Sequence, residues 1–305
     1  MDKPVVTFAT SADRPTLAAE EQPLLAEVAS RGIDVRVAVW DDPTVDWQQA
    51  GIVVVRSVRD YAQKPGEFLA WTRRVPRLLN PAPVVGWNID KHYLQDLAQR
   101  GLPTIPTIWL EPEDKFSKHQ LHTRFPARGD FVVKPAVSSG GRGTGRYTST
   151  DAQSRMEAIA HAQRQLAKGR SVMVQRYLEA IDTAGELSLI FFNGLISHAV
   201  SKRAMLHPSF RNLDEVVQDE EVQAREVTEA ERAFGERVRL ALHGYMKEAL
   251  GRDMLLLFNR IDMVPDGRGG YYVMEISLVD GSLYLDTCPQ AVTNFADAIA
   301  QRTFW

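Results

Sequence analysis

Asp262 and Glu275 stand on either side of a turn-forming string, Pro265-Asp-Gly-Arg-Gly-Gly270, within two runs of strand character, Met254–Val264 and Tyr271–Val279. If Asp266 and Tyr271 flank a loop of about four residues, a common hairpin length, pairing backwards sets Asp262 opposite Glu275 and Arg260 opposite Ser277. Strand side chains alternate between faces, so all four then share one face. Two carboxylates facing one another are unfavourable unless something compensates them. A divalent cation does so, and Mg²⁺ in particular binds through one or two carboxylates together with phosphate oxygens and water. Arg260 on the same face can hold a phosphate with two parallel N–H donors. The competing reading is a solvated hairpin face whose charges do no chemistry.

A second feature suits phosphate as well. Phe131–Lys134 reads as a strand that runs into Ser138-Ser-Gly-Gly-Arg-Gly-Thr-Gly145. Glycines tolerate the positive φ that lets successive backbone N–H groups turn towards one anion, and Lys134 can add its charge. No Gly-Lys-Ser/Thr follows, and no helix begins among the glycines, so neither the Walker loop nor the dinucleotide fingerprint is matched. A flexible connection is the alternative here.

These residues need elements to hold them, and the chain reads as α/β. Val5–Ala9, Val35–Val39 and Ile52–Val55 are β-branched runs expected in a buried parallel sheet. The spacing predicts a helix over Thr16–Ser30 closed by Gly32, and Asn80-Pro-Ala-Pro83 as the exit of a first region. Asn88 reads as the N-cap of a helix ending at Gly101. Further on come a helix at Asp151–Leu166, a strand at Ser171–Gln175, and strands Leu187–Phe192 and Leu195–Val200 joined by Asn193-Gly194, a strong hairpin signal. Residues 203–227 are polar with little periodicity and read as a mobile or inserted loop. Thr228 and Glu231 form a capping box for a long helix ending near Leu250. Regions 1–87, 88–170 and 171–305 follow from these breaks.

The composition limits the choices. Among 305 residues, 36 Lys and Arg balance 39 Asp and Glu, a net charge of −3 that argues against a nucleic-acid or anionic-membrane surface. No apolar run reaches the roughly 20 residues that cross a bilayer, and the N-terminus lacks a signal-peptide pattern. Cys288 is the only cysteine and reads as an idle or buried thiol, so the expected compartment is a reducing cytoplasm. His119 and His122 lack partners for zinc, His198 reads as a packed neutral residue, and the tryptophans read as packing. No Ser/His/Asp or Cys/His set stands out.

The order of Lys91, Lys134, the glycine loop, Gln175-Arg-Tyr-Leu178, Glu186 and the Asp262/Glu275 pair resembles the ATP-grasp superfamily, especially its glutathione-synthetase-like branch. The resemblance implies an ATP-grasp fold with a Rossmann-like N-terminal domain, and ATP sandwiched between two lobes. It assigns Lys91 and Lys134 to the phosphates, Ser139, Gly140, Gly141 and Gly143 to the lid, and Gln175, Arg176, Tyr177 and Leu178 to an adenine hinge. Glu186 would hold the ribose, and Arg260, Asp262 and Glu275 phosphate and one or two Mg²⁺ ions. Ser277 departs from the usual Asn or Glu at the next metal position, which leaves metal stoichiometry open.

A closer resemblance spans nearly the whole chain. Val53-Val-Val-Arg-Ser-Val-Arg-Asp-Tyr61, Glu67-Phe-Leu-Ala-Trp71, Leu79-Asn-Pro81, Gly185-Glu-Leu-Ser188 and Ser197-His-Ala-Val200 with Lys202 look like the bacterial ATP-grasp group that includes the ligase closing the cycloserine ring. Arg59 stands where that group has tryptophan, in the segment expected to border the acceptor pocket. The resemblance adds Lys202 and Arg211 to Arg260 as catalytic candidates, and Arg56, Ser57, Asp60 and Tyr61 as acceptor contacts. It implies an ATP-dependent carboxylate–amine ligase, inter- or intramolecular, acting on a small amino-acid-like molecule. A small-molecule kinase or a non-catalytic ATP sensor are the rivals, and a homodimer is the default assembly.

Overall fold

The protein is described by a computed structural model covering residues 3–218 and 220–305. Its first part is a parallel sheet in the order β2-β1-β3-β4, from β1 (Val5–Thr10), β2 (Asp34–Val39), β3 (Ile52–Val55) and β4 (Leu78–Leu79). All four residues of β3 are buried, as a strand covered on both faces requires. Helices α1 (Gln22–Ala29) and α2 (Pro65–Arg74) connect these strands. The expected start at Thr16 is too early. Pro23 is tolerated only in the first turn of a helix, and Leu17 has φ +72°, so a 3₁₀ turn at Ala19–Glu21 precedes α1.

Next come α3 (Ala82–Asn88), α4 (Tyr93–Gln99), β5 (Thr107–Leu110), α5 (Lys118–Arg124), β6 (Asp130–Pro135), β7 (Gly145–Thr148), α6 (Ala152–Ala167) and β8 (Val172–Arg176). The strands form an antiparallel sheet, β5-β8-β6-β7. Strand β8 pairs with β6 through Val132↔Gln175, although sequence reading groups it with the chain beyond residue 170. Asp151 caps α6 by accepting from Ser154 N–H.

The last part holds α7 (Ala180–Ala184), β9 (Glu186–Phe192), β10 (Leu195–Lys202), β11 (Val222–Ala224), α8 (Glu229–Leu250), β12 (Phe258–Pro265), β13 (Tyr271–Ser277) and α9 (Ala291–Phe304). Its antiparallel sheet runs β11-β10-β9-β12-β13. The capping box of α8 forms at Thr228 and Glu231, and Gly251 ends the helix in the left-handed region. Phe234, Val238, Leu242 and Met246 of α8 pack with Leu189, Phe191, Ile261 and Met263. On the opposite side α9 meets α1 and the first sheet, with Phe295 stacked 4.5 Å from Phe192.

Three further expectations need correction. Asn88 is not an N-cap but the last residue of α3. Its amide donates to Ile276 O at 2.7 Å and accepts from Leu278 N at 2.8 Å, so it is spent on β13. The loop between β12 and β13 has five residues, Asp266–Gly270, because Asp266 accepts from the N–H groups of Arg268 and Gly270. Met274 bulges out and restores the register, so Asp262↔Glu275 and Arg260↔Ser277 face one another as expected. Finally, the segment after Arg203 lies across the glycine loop rather than free. Gly143 N and Gln218 N donate to Asn212 O and Gly140 O, and Asn212 N donates to Thr144 O. Asp219, within that stretch, and Met1 and Asp2 lie outside the described residues.

Candidate active site

One deep cleft, about 1490 Å³ with its mouth, runs between the two antiparallel sheets and reaches the 3₁₀ turn Arg59–Ala62 of the first part. One end is an apolar slot bounded by Ile105, Val132, Leu178, Leu206 and Met274. Gln175, Arg176 and Tyr177 border it. Gln175 donates to Thr107 Oγ1 at 2.8 Å, and the Tyr177 ring lies under the Arg146 guanidinium at 3.5 Å.

The middle of the cleft is charged. Lys91 sits between α3 and α4, anchored where its N–H donates to Ala136 O, and its Nζ donates to Ser138 O at 2.8 Å. That ammonium is 3.7 Å from Glu275 Oε1. Lys134 projects from β6 into the same space, with Lys91, Glu275 and Glu186 as its charged neighbours. Burial, aided by Lys91, pushes its ammonium down to about 8. Ser139, Gly140 and Gly141 form the roof. Gly143 does not reach the cleft. It turns the loop behind, with φ +66°, where a Cβ would stand 2.9 Å from Pro135 Cγ.

On the floor, period-two alternation along β12 and β13 aims Arg260, Asp262, Glu275 and Ser277 into the cleft. Asp262 Oδ2 accepts from Arg260 Nη2 at 2.9 Å and Lys202 Nζ at 3.1 Å, and Oδ1 accepts from Ser188 Oγ at 2.7 Å. Burial pushes this carboxyl up, but Arg260 and Lys202 win and hold it down at about 2. Lys202 also lies 2.9 Å from Glu186 Oε2, its partner across the β9–β10 ladder. Burial disfavours this ammonium, yet Asp262 and Glu186 keep it well above its ordinary value.

Four further expected residues lie elsewhere. Arg56 is sealed beneath the cleft by Glu21, whose Oε1 accepts from Arg56 Nε at 2.5 Å, and by Phe258 under its guanidinium. Ser57 donates to the other Glu21 oxygen, and Asp60 accepts from Trp40 Nε1 at 3.1 Å. Arg211 is carried outward by its antiparallel bridge to Gly145. Its guanidinium covers the Tyr147 ring at 3.9 Å and bonds Ser154 Oγ. Of the acceptor set only Tyr61 lines the cleft, joined by Arg59.

Sequence reasoning passed over Glu220 and Asp280, which also line the cleft. Glu220 accepts from Tyr284 Oη at 2.7 Å. Asp280 had a visible signal, an acid inside the apolar run Ile276–Leu285. Gly281 beside it lets the chain pass close, since a Cβ there would stand 2.5 Å from Ser277 Cβ. His198 is buried and donates to Leu283 O, as its strand position suggests. Cys288 is half-buried against α9 and the first sheet.

Residues 6–80 match the family described as "D-cycloserine synthetase DcsG, N-terminal domain", and residues 113–254 match "Prokaryotic glutathione synthetase, ATP-grasp domain". Over 286 residues the chain is 37% identical to the cycloserine biosynthesis protein DcsG of Streptomyces lavendulae, covering 92% of each. It superposes on the crystal structure of D-cycloserine synthetase DcsG with a TM-score of 0.85 at 35% identity, over 98% of this chain and 99% of that one. A D-alanine–D-alanine ligase from Bacillus anthracis matches with a TM-score of 0.61 over 98% and 97% of the two chains. Its 16% identity speaks for the fold alone.

Proposed function

Because the chain belongs to the ATP-grasp ligases, in the family of D-cycloserine synthetase DcsG, we propose that it activates the carboxylate of a small amino-acid-like substrate as an acyl phosphate and joins it to an amine-type nucleophile. The observation that carries this reading is the cleft itself, which brings the ammonium groups of Lys91 and Lys134 over the acids of the β12–β13 hairpin. A carboxylate acylates poorly because oxide is its leaving group. Phosphorylation replaces that with phosphate, which leaves readily when an amine attacks the carbonyl. Phosphoryl transfer spreads charge over three oxygens and is catalysed by positioning and electrostatics.

The residues present fit ATP and Mg²⁺. The apolar slot suits a base, with Gln175–Leu178 beside it, and Glu186 lies further along the same wall. Lys91, Lys134 and the loop from Ser139 to Gly141 suit the phosphates. Glu275 and one remaining lone pair of Asp262 suit Mg²⁺, which takes few carboxylates and completes its shell with phosphate and water. Magnesium would supply charge neutralisation at the phosphates. Ser277 is short for a ligand, which favours contact through water. Arg260, held by Ser282 O and Asp262, has a buried Nε without a partner among the described residues and lines the cleft beside these acids. Lys202 sets the position of Asp262. We place the boundary between the nucleotide-binding lobes after Arg176, where β8 ends, with the first region ending near residue 87.

The roof over the phosphates matters because acyl phosphates hydrolyse in water. Arg142 donates from the glycine loop to Arg59 O and, at 3.1 Å, to Glu215 O, which supports a closed roof. Arg59 and Tyr61 are the acceptor contacts this geometry favours over Arg56, Ser57 and Asp60. A nucleophile on the same molecule would give a cyclic product and one on a second molecule a linear conjugate, which product analysis distinguishes.

The test is a screen of amino acids with ATP–Mg²⁺, following ADP release and trapping the activated carboxylate with hydroxylamine as a hydroxamate. Substrate-dependent ADP with hydroxamate is expected, and Glu275→Gln should abolish both while ATP still binds. A stable phosphorylated product released without any nucleophile would mean a kinase. ATP binding with no turnover by any substrate would mean a sensor.

A further inference from the structure

Asp280 occupies a position that the ligase reading leaves without a task. It is 6% exposed, and its two oxygens have different fates. Oδ1 accepts from Val58 N–H at 2.8 Å, which fixes the carboxylate, while Oδ2 is buried without a partner among the described residues. A buried acceptor left unpaired costs about 1–3 kcal/mol, more when charged, so such a group normally answers to a ligand or water. Asp280 lines the same cleft as Glu275, at the end bordered by Arg59 and Tyr61.

The surrounding segment is built rigidly. Gly281 O accepts from Arg56 Nη2 at 3.0 Å, Ser282 Oγ accepts from Arg59 Nη2 at 2.6 Å, and Ser282 O accepts from Arg260 Nη1 at 2.9 Å. Three arginines thus pin Gly281 and Ser282 while none bonds Asp280 Oδ2. Arg59 has that one side-chain bond among the described residues, which leaves other N–H groups of its guanidinium unpaired, and it lines the cleft. A free carboxylate oxygen beside a partly free guanidinium is complementary to a neighbouring ammonium and carboxylate.

We propose that Asp280 is the contact for the ammonium group of an α-amino-acid substrate, with Arg59 turned to an oxygen of the same molecule. This rests on the ligase reading and deepens it by making a free amino group a requirement for recognition. Burial pushes the Asp280 carboxyl up to about 6, against Arg59 and Arg56, so it is ionised at neutral pH and able to meet a cation.

The test measures binding by calorimetry to the full protein loaded with AMP-PNP–Mg²⁺. The ligands are α-amino acids of both hands, each beside the acid lacking only the amino group, such as serine beside 3-hydroxypropionate. Wild type should bind at least one amino acid and prefer it over its deaminated partner by roughly 10- to 100-fold, the range of a charge-assisted hydrogen bond. Asp280→Asn, which can still accept from Val58 N–H, should erase that preference while AMP-PNP affinity stays within about twofold. Asp280→Glu should restore part of it. The wild-type comparison stands even if a variant misfolds. Equal binding of both acids, or binding of no amino acid, overturns the assignment and leaves the nucleotide site intact. Failure of AMP-PNP itself to bind would instead overturn the ligase reading.

Discussion

Replacing Lys134 by methionine should stabilise the unliganded protein while removing its grip on nucleotide. Lys134 is half-buried on β6, and only through-space charge offsets the desolvation of its ammonium. The fall from the ordinary 10.5 to about 8 makes the folded state hold that proton less well than the unfolded chain. At about 1.4 kcal/mol per tenfold change, the penalty below pH 8 is about 3 kcal/mol at most, and about 1–3 once partial solvent access is allowed for.

The sign is that of a lysine with a lowered folded value. The unfolded chain binds more protons between about pH 8 and 10.5, so this group makes wild-type stability climb across that window. Methionine keeps most of the apolar stem and carries no charge. Urea unfolding at pH 7 should therefore show the variant more stable by about 1–3 kcal/mol, with the gap closing towards pH 10. ATP added with Mg²⁺ should stabilise wild type and leave the variant unmoved, and wild-type ATP affinity should decline above pH 8. A variant less stable than wild type at pH 7, or one that ATP protects equally, would refute the assignment of a desolvated, phosphate-facing ammonium. Such a trade of stability for function is common at active sites.

Gly143→Ala should cost about 2 kcal/mol, because it sets a Cβ against Pro135 at φ +66°. Urea unfolding reads it, and unchanged stability would mean the loop does not hold this turn. Ser277→Asn offers a longer oxygen ligand beside Glu275, so the Mg²⁺ concentration that half-activates ADP release should fall several-fold. No change on magnesium titration would detach position 277 from the metal.

Much of this protein was legible from local rules. The Thr228–Glu231 box and the Asn193-Gly194 turn involve residues a few positions apart, and hydrogen-bond geometry at that range follows from residue type. The facing of Asp262 and Glu275 was also legible, though by way of two compensating errors in loop length and bulge. Period-two alternation then puts acids and arginine on one face whatever the rest of the chain does.

What stayed hidden depends on partners far along the chain. Asn88 has the profile of a helix cap, yet its amide is taken by β13, and Asn80 likewise bridges Phe258 O and Leu278 O. Arg56 looks suited to a substrate carboxylate until Glu21, 35 residues earlier, claims it. Asp280 shows in the sequence as an acid inside an apolar run, but that one of its oxygens lacks a partner among the described residues is something no local pattern announces. Sequence alone determined which residues carry charge, where the turns fall and which side chains share a strand face, because these follow from composition and backbone period. Tertiary structure decided which polar groups are spent on the fold and which remain open to the cleft, because a hydrogen bond between distant segments exists only once sheet order has brought them together.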